Sequence, residues 1–173
     1  VRAIGPDAET MSEAQHEALL KRYLDFYGDH IADRSRPFDG IVPLLEKFKG
    51  QGVKLAVCTN KNEEFVRPLL EARGMMPYID GIVGGNTLPE RKPSGVPLLH
   101  LAKQLSAPVE ATLMVGDSES DVLAARDAHL PFVLVSYGYR KSLDLYTAGA
   151  VAVIDTMPAL LDVQRPQRTA AHG

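Results

Sequence analysis

The chain has 173 residues, 45% of them hydrophobic and 24% charged, which suits one globular domain, or one domain and a fragment of a second. The balance of 19 basic against 22 acidic residues leaves a formal net charge of −3 and contains no basic run, so there is no electrostatic reason to expect nucleic acid or an anionic membrane as partner. A single cysteine, Cys58, excludes an intramolecular disulfide or a thiolate metal cluster and fits a reducing, cytoplasmic setting. No apolar run approaches the ~20 residues of a spanning helix. The N-terminal stretch lacks the basic-then-apolar order of a signal peptide.

Residues 1–9 show no periodicity. Thr10 and Glu13 are spaced as a capping box, and Leu19, Leu20, Tyr23, Leu24, Tyr27 and Ile31 follow on one helical face. This helix is expected to end near Ala32 to Arg34, ahead of Pro37. From Phe38 the pattern alternates between helix and strand. Ile41 to Lys49 is amphipathic, and Val53 to Cys58 is a short apolar run that ends in Thr59-Asn60. A helix over 62–72 leads to a second strand over 79–83, closed by Gly84-Gly85.

Ser94 is placed to cap a further helix, with Pro97 in its first turn and an end near Leu105. Thr112 to Val115 is a third strand, followed at once by Gly116-Asp117, and Ser118 and Asp121 open a helix that reaches Ala128. Strands are expected at Phe132 to Val135 and Ala150 to Ile154, then a last helix over 157–163. A tail over 164–173, rich in Gln, Arg and Pro, is expected to be disordered. Short apolar strands alternating with amphipathic helices predict an α/β, doubly wound (Rossmann-like) parallel sheet. Ligands of such sheets lie outside the carboxyl ends of the strands.

Those ends carry a coherent set of groups: Thr59 and Asn60, the loop residue Lys92, and Asp117 with Asp121 one helical turn later. A hydroxyl and an amide can donate to phosphate oxygens, an ammonium balances negative charge, and carboxylates hold a hard cation. Taken singly, each has a plainer reading. Thr59 reads as a helix cap, Lys92 as a solvated charge and Asp121 as a helix N-terminal charge. Asp117, directly after a buried strand and a glycine, is less well explained by solubility.

Jointly, the strand ending in Thr59-Asn60, then Lys92-Pro93, then Gly116-Asp117-Ser118-Glu119-Ser120-Asp121 closely resembles motifs two to four of the haloacid dehalogenase superfamily. Residues 32–40, Lys92-Pro93 with Pro97-Leu98-Leu99, and Ser136-Tyr137-Gly138-Tyr139 ahead of 150–155 resemble its phosphoglycolate phosphatase subgroup. The resemblance covers roughly residues 20–163. It implies a Mg²⁺-dependent phosphatase acting on a small phosphorylated metabolite, with 2-phosphoglycolate the best single candidate. It also implies a phospho-aspartate intermediate, Thr59, Asn60 and Lys92 as phosphate-binding groups, and Asp117 as metal ligand. Asp121, with Gly116 and Ser118, would support them. A phosphosugar mutase or pyrophosphatase of the same fold stays open.

The resemblance departs at motif one, an apolar strand ending in D-x-D-G-T whose first aspartate is the nucleophile. Among the aspartates at 7, 25, 29, 33, 39, 80, 117, 121, 127, 144, 155 and 162, no two are separated by one residue. Asp155 follows an apolar run but lacks a partner carboxylate and a glycine, so it is rejected as a substitute. In the family the motif-one strand lies between the Thr59 and Asp117 strands, so those two are expected to face an unpaired slot. The organisation that follows is a partial helical cap over 1–37, an α/β core over 38–163 and the tail. Three readings stand: a natural chain that extends upstream, which is the favoured one; a truncated chain rearranged or completed by another copy in a homo-oligomer; or a non-enzymatic phosphate- or Mg²⁺-binding module serving assembly.

Overall fold

The computed structural model describes residues 11–138 and 148–163. The expectations for residues 1–9, Tyr139 and the tail lie outside them, as does the Thr10 cap. The chain divides into two compact units, residues 1–35 and 36–173.

Within the first unit, helix α1 runs Glu13–Asp29. Its cap is Ser12. The Ser12 hydroxyl accepts from the Gln15 amide at 3.3 Å and the Gln15 side chain accepts from the Ser12 amide at 2.8 Å, a reciprocal box shifted two residues along. Tyr23 and Tyr27 stack at 6.0 Å and Phe26 tilts on His30 at 4.3 Å, both contacts set by the spacing of four along a helix.

In the second unit, α2 (Ile41–Gly50) leads to β1 (Ala56–Cys58). The strand is shorter than the apolar run predicts, because residues 53–55 make no ladder. The Leu55 amide instead donates to the Asp80 carboxylate at 2.8 Å, whose other oxygen takes Lys49 at 2.7 Å. Helix α3 (Glu63–Ala72), a 3₁₀ turn at Met76–Tyr78 and β2 (Gly81–Val83) follow. Then come α4 (Val96–Gln104), a 3₁₀ turn at Val109–Ala111, β3 (Met114–Gly116), α5 (Glu119–Asp127), β4 (Phe132–Val135) and β5 (Ala152–Ile154). The expected last helix is a 3₁₀ segment, Met157–Asp162. Pro97 sits in the first turn of α4 as anticipated, where its missing N–H costs nothing.

All strand pairs are parallel: β1 with β2, β3 with β4 and β4 with β5. Among the described residues they form two sheets rather than one, β1-β2 and β3-β4-β5, and β1 and β3 are not hydrogen-bonded to each other. Burial follows this division. β4, flanked on both sides, is buried at all four residues, whereas β3 is only half-buried and Ala56 of β1 is exposed. The main core packs the inner face of α5 (Val122, Ala124, Ala125) against Leu98 of α4 and Phe132 and Leu134 of β4. Small residues at 124 and 125, both fully buried, bring that helix close to the sheet.

Candidate active site

The carboxyl ends of β1 and β3 are where the predicted groups gather. β1 hands directly to Thr59, whose amide continues the ladder to the Val83 carbonyl at 3.0 Å. The Thr59 hydroxyl accepts from the Lys61 amide at 3.1 Å, so its own proton remains available to a further acceptor. The side-chain amide of Asn60 donates to the Lys92 carbonyl at 2.8 Å. Asn60 therefore ties the β1 end to the loop carrying Lys92.

Lys92 is not a solvated loop charge. Its side chain is only 10% exposed, and the ammonium donates to the Cys58 carbonyl at 2.8 Å and to Asp121 Oδ1 at 2.6 Å. The first partner ends β1 and the second lies on α5, just after β3, so one cation links the ends of both sheets. Two of its three N–H groups are thereby used. The Cys58 carbonyl has no sequence signal of its own; only its position as last residue of the strand marks it.

Asp121, 6% exposed, is the other half of this buried pair. Its Oδ2 accepts from the Ser118 hydroxyl at 2.8 Å and from the amides of Asp117 and Ser118 at 3.0 and 3.1 Å. Burial alone would raise its pKa. The Lys92 charge, then the hydrogen bonds from Lys92, Ser118 and the Asp117 amide, outweigh burial and hold the carboxyl below the usual range. Asp121 is thus an ionised clamp that folds the 116–118 turn around itself. Gly116 is required by that fold: a Cβ there would come within 2.5 Å of the Asp121 Cβ. Burial, opposed by Lys92 and helped by Asp121, raises the Cys58 thiol, which suits a packing residue rather than a nucleophile.

Asp117 is half-buried beside the turn that follows β4. A Cβ on Gly138 would lie 2.0 Å from the Asp117 Cβ and 2.6 Å from its Oδ2. Burial, and secondly the Asp117 charge, push the Tyr137 phenol up, so it keeps its proton. In the sequence, Tyr137 and Gly138 are marked only by a resemblance. Their place at the carboxyl end of a strand was the signal that could have drawn them into the site.

Mg²⁺ is commonly held by one or two carboxylates completed by phosphate oxygens and water. Asp121 is committed to Lys92 and the turn amides, which leaves Asp117 as the carboxylate suited to that role. Among the described residues no cluster of three or more His, Cys, Asp or Glu side chains is placed to hold a metal. The residues present therefore fit one protein ligand of such an ion.

A family model described as haloacid dehalogenase-like hydrolase matches residues 4–135. The chain is 38% identical over 152 residues to a phosphoglycolate phosphatase of Thiobacillus denitrificans, covering 88% of this chain and 65% of that one. It is 33% identical over 173 residues to a phosphoglycolate phosphatase of Mesorhizobium japonicum, covering 99% and 76%. A crystal structure described as a predicted phosphoglycolate phosphatase from Haemophilus somnus superposes with a TM-score of 0.83 at 29% identity, over 90% of this chain and 69% of the other. The chain spans 60–65% of the length of the first three curated relatives that it matches.

Proposed function

Since this chain belongs to the haloacid dehalogenase-like hydrolase family, we propose that its site is the phosphoryl-binding half of a Mg²⁺-dependent phosphomonoester phosphatase, with 2-phosphoglycolate as substrate. The observation that carries the reading is the buried Lys92 ammonium, held between the Cys58 carbonyl and Asp121 beside Thr59 and Asp117. A cation fixed at the carboxyl ends of two parallel sheets, where ligands of such sheets bind, supports a role in balancing charge on a phosphoryl group. The substrate is suggested by the phosphoglycolate phosphatases to which the chain is similar.

In this reading the Thr59 hydroxyl and the Asn60 amide donate to phosphoryl oxygens. The remaining N–H of Lys92 neutralises the negative charge that grows as the phosphoryl group transfers. Asp121 holds Lys92 charged and aimed, and Asp117 is the ligand of Mg²⁺, which when bound supplies positive charge to the phosphoryl oxygens. The 173 residues contain no D-x-D pair, and Asp155 is occupied as acceptor of the Ser136 hydroxyl. On this account the polypeptide of these residues alone does not turn over. That same lack favours a second reading, a phosphate- or Mg²⁺-binding module without catalysis.

The test is hydrolysis of 2-phosphoglycolate, with Mg²⁺ and with chelator, by this polypeptide and by a form extended upstream with an apolar D-x-D strand. We expect no turnover from the first and chelator-sensitive turnover from the second, lost on Asp117→Asn. Turnover by the 173 residues that Asp117→Asn abolishes would mean that another residue is the nucleophile. An extended form that binds phosphate but hydrolyses no phosphomonoester would favour the module.

A further inference from the structure

We propose that Gly85, on the turn that follows β2, is a positioning residue of the Thr59 hydroxyl, acting through the peptide that joins Asn60 to Lys61. Its purpose rests on the reading of Thr59 as a phosphoryl donor; its geometry does not.

Thr59 and Thr87 carry the same group in two settings. The Thr87 hydroxyl accepts from the Gly84 amide at 2.8 Å and gives its proton to the Glu63 carboxylate, so it is used up within the fold. The Thr59 hydroxyl likewise accepts from an amide, that of Lys61, but among the described residues no acceptor takes its proton. A hydroxyl bound in this way keeps its oxygen in place and turns its one proton away from the amide. The aim of that proton is only as well defined as the Lys61 N–H, and that N–H belongs to the 60–61 peptide.

Gly85 meets this peptide twice. Its amide donates to the Lys61 carbonyl at 2.7 Å. A Cβ on it would lie 2.8 Å from the Asn60 carbonyl carbon and closer still to the carbonyl oxygen. The three nearest atoms are all Asn60 backbone, so no rotamer change relieves the clash, and either the peptide or the turn must move. The turn is held against retreat. Gly84 is buried and so near α3 that a Cβ there would lie 2.6 Å from both the nitrogen and the Cα of Glu63. The Asn86 side chain accepts from the Glu63 amide at 2.8 Å and donates to the Glu64 carboxylate at 3.0 Å. Asn60, which is exposed, is therefore the partner that gives way. This exclusion holds whatever else Lys61 touches, and only a residue without a side chain brings the two backbones so close.

The test begins with the Thr59 χ1 angle, from three-bond NMR couplings to its γ-methyl carbon, in this polypeptide free of ligand. Wild type is compared with Gly85→Ala, Asn86→Ala and Gly81→Ala. Gly81, on β2, is the control, because the three atoms nearest to a Cβ there are all in side chains, the closest being Leu101 at 3.0 Å. Wild type and Gly81→Ala should show one rotamer, and Gly85→Ala a different or averaged one. Averaged couplings in wild type, unchanged couplings in Gly85→Ala, or the same change in Gly81→Ala would overturn the inference. Should Gly85→Ala fail to fold, Asn86→Ala decides, since it loosens the turn without adding volume: averaged couplings support the inference and unchanged ones overturn it. In the form extended with an apolar D-x-D strand, Gly85→Ala should lower kcat on the order of ten- to a hundredfold, with KM changed less than about threefold. Once Thr59→Ala is present, Gly85→Ala should cost nothing further; an additive loss would show that Gly85 acts elsewhere and overturn the inference. Thr59→Ala that leaves turnover intact would sink the reading of Thr59 as donor, while the couplings still decide the positioning.

Discussion

Replacing Asp121 by alanine strands a buried cation. Lys92, 10% exposed, would keep only the Cys58 carbonyl as partner, and the Ser118 hydroxyl and the amides of Asp117 and Ser118 would lose their common acceptor. Removing one member of a buried ion pair costs about 3–5 kcal/mol. The stranded donors put Asp121→Ala at the upper end. Lys92→Met lies at the lower end, because Asp121 retains three hydrogen bonds. For a domain of this size about 2–4 °C is lost per kcal/mol, so Asp121→Ala, at about 5 kcal/mol, should lower the melting temperature by roughly 10–20 °C.

The pH dependence gives the sharper test. The folded-state pKa of Asp121 is depressed, so its contribution is fully present above the unfolded value of about 3.9. It is lost as pH falls through the lower folded value. Denaturant unfolding of wild type and Asp121→Ala should therefore show a constant stability gap from pH 7 down to about 4, closing below it. A gap under about 1 kcal/mol at pH 7, the size of an exposed pair, would refute the buried-clamp reasoning. So would a gap that persists unchanged in strong acid.

Asp80 is a second acid-sensitive tie, accepting from Lys49 at 2.7 Å and the Leu55 amide at 2.8 Å. Its pKa is lowered, burial being outweighed by these bonds and by the charges of Lys49 and Lys54. Asp80→Ala should cost about 1–3 kcal/mol by urea unfolding at pH 7, with the difference fading below about pH 4; no loss would mean that the tie is not formed. Tyr137→Phe removes a buried hydroxyl that has no partner. It should leave stability unchanged or raise it by up to ~1 kcal/mol, and a loss beyond that would show that the hydroxyl is bonded. Leu134→Ala, at a core position 1% exposed, should cost about 2–5 kcal/mol, and a smaller loss would mean that β4 is not the centre of the core.

The elements legible in the sequence are those whose burial and local chemistry agree. β4 reads as four consecutive apolar residues and is buried at all four. Helix α5 announces itself through Ser118 and Asp121, which do form its capping interactions. Where two local signals compete, the pattern misleads. Thr10-x-x-Glu13 and Ser12-x-x-Gln15 both satisfy a capping box, and the second is used. The run from Val53 predicts a strand three residues longer than β1, because Asp80, twenty-five residues ahead, captures the Leu55 amide. At the candidate site, Thr59, Asn60, Lys92, Asp117 and Asp121 stand out in the sequence because each side chain has a chemistry of its own, whatever part each plays. The Cys58 carbonyl and Gly138 do not, since one acts through its backbone and the other through having no side chain.

Lys92 matters to the architecture as much as to the chemistry proposed for it. Among the described residues no ladder joins β1 to β3, so the relative placement of Thr59 and Asp117 is not set by a continuous sheet. It is set beneath by α4, whose Leu98 packs with the α5 residues Val122, Ala124 and Ala125 in the core that also reaches Cys58 and Met114. Above, it is set by two polar ties through one residue: the Lys92 ammonium to Cys58 and Asp121, and the Lys92 carbonyl to the Asn60 amide. Truncating the side chain leaves the Asn60 tie but cuts the link from the end of β1 to the start of α5. Lys92→Met should then broaden or shift the backbone resonances of Thr59 and Asp117 together, while those of β4 stay put. Independent responses at 59 and 117 would mean that the two halves of the site are held apart by packing alone.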